Sequence, residues 1–378
     1  MHCRGVPAVA SGWLSYHPIV AVLAAPTRDD NPPMDLSRFP RRRYTPTPTP
    51  LEPLPRFSAA LAASCPGGHG PEVWIKRDDL LGLAPGGNKT RKLEFLVADA
   101  LAQGADTLVT CGAPQSNHCR LTLAAAVKEG LQCRFVIEER VPDSYRDDAS
   151  GNHFLFRLLG VEAITVVPAG TDMAAAMQRV SDELRAKGRK AYVIPGGGSN
   201  ALGGLGYVAC AQELQQQCFE QGLHFDSVVV GSGSSGTHGG LLAGFLGNRI
   251  DTPIVGVGVS RDPPDQAPLV HAEAQAVCEL LGLDLRVPRD AVRCVGGYWQ
   301  PKYSLPNARM VEAAQLLARS EGIVLDPVYT GKVMAGLIGL ARGGELRAGQ
   351  RVLFVHTGGL PSAFAYQREL LGLQQVAP

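Results

Sequence analysis

The sequence predicts an α/β protein built on two open, twisted, parallel sheets with helices on both faces. Three observations carry that expectation. Short apolar runs rich in Val, Ile and Phe alternate with stretches whose apolar residues recur at helical spacing. The runs gather into two blocks, about 105–195 and 225–357. Glycine- and hydroxyl-rich segments directly follow several runs, where ligand loops sit in parallel sheets.

Taken in order, residues 1–33 differ in style from the rest. Their apolar run Ile19-Val20-Ala21-Val22-Leu23-Ala24-Ala25 is too short to cross a bilayer. Ser15, His17 and Pro18 interrupt it upstream, so a disordered extension is the reading and a secretory signal the alternative. The run Thr45-Pro46-Thr47-Pro48-Thr49-Pro50 is expected to be extended, because proline removes donors and fixes φ. Val73-Trp74-Ile75-Lys76-Arg77-Asp78 reads as a short strand. Further strands are expected at 107–110, 133–137, 163–167, 191–194, 227–230, 254–257 and 352–355. Helical patterns lie between them near 118–129, 151–159 and 172–187. The organisation read from this is a large domain of 34–84 plus 201–378 and a small one of 85–200.

Composition narrows the partners. Thirty-six basic against 35 acidic residues leave no electrostatic case for nucleic acid or an anionic membrane. Arg41-Arg42-Arg43 is short and reads as a solvated turn. Nine scattered cysteines with no C-x-x-C pair argue against zinc and for a reducing cytoplasm.

The stretch around which the chain is organised is Gly86-Gly87-Asn88-Lys89. Leu93, Leu96, Val97 and Leu101 then repeat at helical spacing, with Lys92, Glu94 and Asp99 between them. A lysine at a helix start is ordinarily solvated. Two glycines, however, let backbone approach a flat ligand, and helix-start amides with the Asn88 side chain can meet an anion. A lysine beside a phosphate-bearing aldehyde forms a Schiff base.

Three other loops carry the same ambiguity. Ser116-Asn117-His118 opens a helix after a strand, which suits either a simple N-cap or a carboxylate site. Gly231-Ser232-Gly233-Ser234-Ser235-Gly236-Thr237 matches G-x-G-x-x-G as text. A dinucleotide site would also need an acid after the next strand, and Asp262 lies slightly past it. The loop's surplus of hydroxyls suits a cup for one phosphate monoester, formed by Ser234, Ser235, Gly236 and Thr237. Gly196-Gly197-Gly198-Ser199-Asn200 is a second glycine loop, lining the same cleft or making a plain turn.

Gly86-Gly87-Asn88-Lys89, Gln115-Ser116-Asn117-His118 and Asp326-Pro327-Val328-Tyr329-Thr330-Gly331-Lys332 together resemble one family. It comprises the pyridoxal-phosphate enzymes grouped as D-cysteine desulfhydrases and 1-aminocyclopropane-1-carboxylate deaminases, with L-cysteate sulfo-lyase as a close relative. The resemblance spans roughly residues 36–366 and implies a tryptophan synthase β-like, fold type II architecture. It implies pyridoxal 5'-phosphate held at Lys89, Asn88, Asn117, the 234–237 cup, Tyr329 and Thr357. Thr357, in His356-Thr357-Gly358-Gly359, would face the pyridine nitrogen. Lys89, Ser116, Tyr329 and Tyr303 would be catalytic; Ser116, Asn117 and His118 would hold the substrate, with a structural role for His118 equally open. Lys332 reads as a surface or structural lysine. No metal is implied, and a homodimer is.

The reaction expected is β-elimination, with D-cysteine giving pyruvate, hydrogen sulfide and ammonia. L-cysteate, releasing sulfite, is the alternative, for which Arg120, Lys302 and Arg309 are candidate charges if they are not surface residues. Thr330 and His118 stand where the deaminases carry glutamate and glutamine, which counts against ring opening. Outside this class, an NAD-binding oxidoreductase and a non-catalytic pyridoxal-phosphate carrier remain.

Overall fold

The structure, a computed structural model, describes residue 1 and residues 34–377; the extension expected before residue 34 otherwise lies outside the described residues. Ten strands form two sheets. They are β1 (Leu51–Pro53), β2 (Glu72–Lys76), β3 (Thr107–Gly112), β4 (Gln132–Glu139) and β5 (Ala163–Pro168). The others are β6 (Ala191–Val193), β7 (Ser227–Ser232), β8 (Ile254–Gly258), β9 (Arg293–Val295) and β10 (Arg351–Val355). The larger sheet runs β1-β2-β10-β7-β8-β9 and the smaller β5-β4-β3-β6. All pairings are parallel except β1 with β2. That antiparallel edge is a departure from the expected all-parallel sheets. The proline-rich lead-in supplies it, where missing N–H donors are tolerated.

Both sheets are covered on both faces, and alternation along each strand assigns the side chains. Val229, Val352 and Phe354 join the core formed with helices Pro55–Ala62, Ala308–Glu321 and Thr330–Arg342. Val228, Val230, Leu353 and Val355 join the opposite core, with helices Ala201–Gln221, Gly236–Gly247 and Pro263–Leu281. In the smaller sheet Leu108, Phe135 and Ile137 face one core and Val109, Cys111 and Val136 the other.

The helix Lys89–Ala102 belongs to both halves. Phe95 packs into the core of the large sheet, while Leu93, Leu96, Val97 and Ala100 pack into that of the small one. Its polar residues are therefore not the solvent face the spacing predicted. Lys92 and Glu94 are buried, and the Glu94 carboxylate accepts from Arg41 and from the amides of Tyr44 and Thr45. The solvated reading of residues 41–43 holds for Arg42 and Arg43, which are exposed, but not for Arg41, which pairs with the buried Glu94.

One turn before Glu94, Arg91 is buried between Asp78 at 2.8 Å and Glu213 at 2.9 Å, and Tyr207 donates to Asp78 at 2.7 Å. Burial alone would raise the Asp78 carboxyl, but Arg91 and Lys76 outweigh it and hold it below the ordinary value. The cluster locks the helix carrying Lys89 to the loop after β2 and to the helix Ala201–Gln221. Breaking one buried partner of such a pair typically costs about 3–5 kcal/mol.

Candidate active site

Loops that follow the carboxyl ends of strands converge on one cleft of about 330 Å³. Gly112 ends β3 and Ala113 and Ser116 follow it, Arg140 comes after β4, Pro195 to Gly197 after β6, Gly233 and Ser234 after β7, and Ser260 and Arg261 after β8. Lys89, Asn117, His118, Tyr303 and Tyr329 complete the wall, with Cys111, Met173, Ala174 and Met177. A narrower recess continues from it, lined by Asn88, Lys89, Gly231, Gly233, Ser234, Ser235, Thr237, Tyr329 and Thr357. Lys89 borders both. Sequence-distant candidates thus meet here because β10, last in the chain, inserts between β2 and β7 and brings Thr357 beside Asn88. The Asn88 amide donates to the Thr357 carbonyl at 3.0 Å.

Lys89 opens its helix and is only 8 % exposed, so the solvated reading does not hold. Burial lowers its ammonium to about 8; Asp326 opposes this and Arg120 adds to it. The nitrogen stands 5.1 Å from the Tyr329 ring centre. The turn before it is glycine for a structural reason: Gly86 and Gly87 have φ of 63° and 130°. A Cβ at Gly87 would also press on Leu121 and the Thr357 carbonyl.

The hydroxyl loop after β7 is built as a concave donor surface. Ser235 takes a positive φ of 71° with ψ −39°, a conformation unusual for serine, which turns the chain into the helix Gly236–Gly247. Asn88 Nδ2 donates to Thr237 Oγ1 at 2.8 Å, so the lysine turn and the loop are joined directly. The second glycine loop closes the other side: Ser199 Oγ donates to Ser234 Oγ at 2.9 Å and accepts from the Gly236 amide at 3.2 Å. Lys92 Nζ reaches the Gly197 carbonyl at 3.0 Å and Ser199 Oγ at 3.4 Å. A Cβ at Gly236 would stand 2.6 Å from Ser199 Oγ and 2.8 Å from Lys92 Nζ. Neither Lys92 nor Ser199 was singled out for this loop from sequence.

Ser116 is the helix cap of its first reading and also borders the cleft. Its Oγ caps the helix Asn117–Lys128 by accepting from the Cys119 amide at 3.1 Å. His118 is buried, with Nε2 2.8 Å from Thr110 Oγ1. That hydroxyl donates to the Ile194 carbonyl, so the ring must donate to it and Nδ1 is left as an acceptor. Burial, reinforced by Lys89 and Lys92, holds the imidazole well below its usual range and thus neutral.

Tyr303 and Tyr329 share a hydrogen bond of 2.7 Å between hydroxyls, with their rings edge to face. Burial raises both phenols. Arg140 stacks over the Tyr303 ring at 4.8 Å and pairs with Glu138 at 2.5 Å. Arg261 donates to the Gly233 carbonyl at 3.1 Å.

Among the charges proposed from sequence, Lys302 and Arg309 are exposed and do not line the cleft, whereas Arg120 is fully buried rather than on the surface. Lys332 is buried too, donating to the carbonyls of Trp299 and Lys302. Asp262 is exposed, and its Oδ1 accepts from Trp299 Nε1 at 3.0 Å.

A family model described as pyridoxal-phosphate dependent enzyme matches residues 43–358, and the chain belongs to that family. It is similar to a crystal structure of an ACC deaminase homologue, at 37 % identity and a TM-score of 0.79, over 90 % of this chain and 98 % of that one. The protein is a pyridoxal-phosphate-dependent, fold type II enzyme of ACC deaminase or desulfhydrase type. It shares its fold with O-ureido-L-serine synthase, at 18 % identity and a TM-score of 0.60 over 86 % of this chain and 92 % of that one. The same holds for a lysine-to-alanine mutant of that enzyme bound to O-ureido-L-serine, at 20 % and 0.58, over 86 % and 91 %.

The site fits pyridoxal 5'-phosphate on its own chemistry. A buried amine borders a recess that is also lined by the hydroxyl residues Ser234, Ser235 and Thr237 at the start of a helix.

Proposed function

We propose that the enzyme is a β-elimination lyase acting on a small amino acid with a sulfur-bearing β-carbon, foremost D-cysteine, giving pyruvate, hydrogen sulfide and ammonia. The observation that carries this is the Lys89 amine, buried and lowered to about 8 between the hydroxyl cup and the Ser116 helix start. When bound, the cofactor supplies an electron sink that makes the α-proton of an amino acid acidic.

The residues that would hold it are Lys89 by covalent attachment, Asn88 and Asn117, and Ser234, Ser235, Gly236 and Thr237 around the phosphate. Tyr329 packs against its ring and Thr357 faces its pyridine nitrogen. Lys92, beside Gly236, supplies the countercharge that the neutral cup lacks. Ser116 and the amides after it receive the substrate carboxylate. Lys89, with an amine available near neutral pH, takes the α-proton, aided by Ser116. Tyr329, hydrogen-bonded to Tyr303, relays a proton with it at the β-carbon end. The division into a large domain of 34–84 plus 201–378 and a small one of 85–200, and assembly as a homodimer, belong to the same proposal.

A second reading, release of sulfite from L-cysteate, is favoured by Arg140 and Arg261, two guanidinium groups on the cleft wall suited to a sulfonate. Ring opening is disfavoured: where a deaminase glutamate would stand, the Thr330 hydroxyl is committed to Asp326 at 2.8 Å. Sulfide and sulfite release from both enantiomers of cysteine and cysteate separates these readings. Sulfide from D-cysteine, little affected by Arg140→Met, supports the first. Sulfite from L-cysteate, with kcat/KM falling about 10-fold or more in Arg140→Met, supports the second. Release of neither from any of the four contradicts both.

A further inference from the structure

Arg120 carries a charge that the roles above leave unused. Its side chain is fully buried, its Nε has no partner, and its three hydrogen bonds all end on neutral oxygens. An interior guanidinium without a bonded carboxylate is costly, so its position demands a reason. Nη2 donates to the Gly86 carbonyl at 2.7 Å, holding the turn that delivers Asn88 and Lys89. Nη1 donates to Asn117 Oδ1 at 3.0 Å and to Asn152 Oδ1 at 2.6 Å. Asn152 Nδ2 donates to the same Asn117 oxygen at 2.8 Å, and Asn152 is itself pinned to Gln115 through two further bonds.

The consequence for Asn117 follows from donor chemistry. A guanidinium can only donate, so the Asn117 atom facing it must be the oxygen, and Asn152 uses the same oxygen. The NH₂ of Asn117 is left as the end free to turn toward the cleft, which Asn117 lines. One rigid fork therefore fixes both the orientation of an amide and the path of the glycine turn, two segments about 30 residues apart in sequence. A lysine ammonium has neither the reach nor the planarity to hold both.

We propose that Arg120 is a positioning residue: it aligns the Asn117 NH₂ and the Lys89 turn with each other, so that both engage bound pyridoxal phosphate. This rests on the reading that Asn117 and Lys89 contact that cofactor.

The test uses the holoenzyme with Arg120→Lys, which keeps the charge and removes the fork, alongside Asn117→Ala and the double variant. Three quantities are measured: the dissociation constant for pyridoxal phosphate, the pH dependence of the bound-cofactor absorbance, and the melting temperature. Arg120→Lys is expected to melt within a few degrees of wild type yet bind the cofactor about 10–100-fold more weakly, with a shifted spectral pH midpoint. In the Asn117→Ala background the same change should cost less, because one of its two targets is gone and only the hold on the Gly86 turn remains to be lost. Wild-type affinity and spectrum in Arg120→Lys, or fully additive losses, would overturn the proposal while leaving the cofactor site intact. Wild-type affinity in Asn117→Ala would instead overturn the reading beneath it. Should Arg120→Lys not fold, Asn152→Ala removes the second tether on the same oxygen. A several-fold weaker cofactor constant there supports the proposal, and an unchanged one overturns it.

Discussion

Three lysines near the cleft are driven down by burial: Lys89 and Lys332 to about 8 and Lys92 to about 7. Electrostatics does not choose among them, but position does. Lys332 is occupied by two backbone carbonyls and Lys92 by the Gly197 loop, whereas Lys89 borders both the cleft and the recess. The depressed value has a sign that can be checked in the apoprotein. Below pH 8 the folded state must carry the Lys89 charge in a dry site, which costs stability. Between about 8 and the ordinary 10.5 the unfolded chain still holds the proton and the folded chain does not, so stability rises with pH. Lys89→Met removes the penalty. It should stabilise the apoprotein at pH 7 by on the order of 3 kcal/mol, at about 1.4 kcal/mol per pH unit, and the gain should fade as pH rises from 8 toward 10.5. Denaturant unfolding of both forms across that range measures it; a pH-independent difference would contradict it.

At the scale of elements, the loop between β7 and the helix Gly236–Gly247 shows how far local sequence reaches. Its glycines and hydroxyls mark an anion cup from text alone, and the positive-φ backbone at Ser235 turns them into the helix start. Of the groups that close it, Ser199 belongs to a glycine loop that the sequence marks as a cleft candidate, whereas Lys92, on the helix Lys89–Ala102, carries no local signal. Gly236→Ala tests the closed geometry. The added methyl would displace Ser199 and the Lys92 ammonium, so cofactor affinity should fall about 10-fold or more while the apoprotein's melting temperature moves little. Equilibrium binding of pyridoxal phosphate measures this, and unchanged affinity would contradict it. The helix Lys89–Ala102 taught the opposite lesson. Its spacing announced an amphipathic helix, but insertion between two sheets buries Lys92 and Glu94, and periodicity cannot register a second core on the polar side.

For the molecule as a whole, two parallel sheets with loops converging at their strand ends were legible because buried parallel strands read as plain apolar runs between amphipathic helices. Strands β1 and β9 were not, being three residues each and irregular in composition. The buried Arg120 and Asp78–Arg91 systems were equally invisible, since an arginine in isolation reads as surface. The order of strands in the large sheet also lay beyond local pattern, and it is this order that carries Thr357 to Asn88 and makes one cleft from five loops. The claim on which the account turns is that this convergence delivers the cofactor to the Lys89 amine. Borohydride reduction of the holoenzyme followed by peptide mapping tests it most directly. The account predicts a stable pyridoxyl adduct on the peptide bearing Lys89, with Lys92 and Lys332 unmodified; an adduct on either of those lysines, or on none, would contradict it.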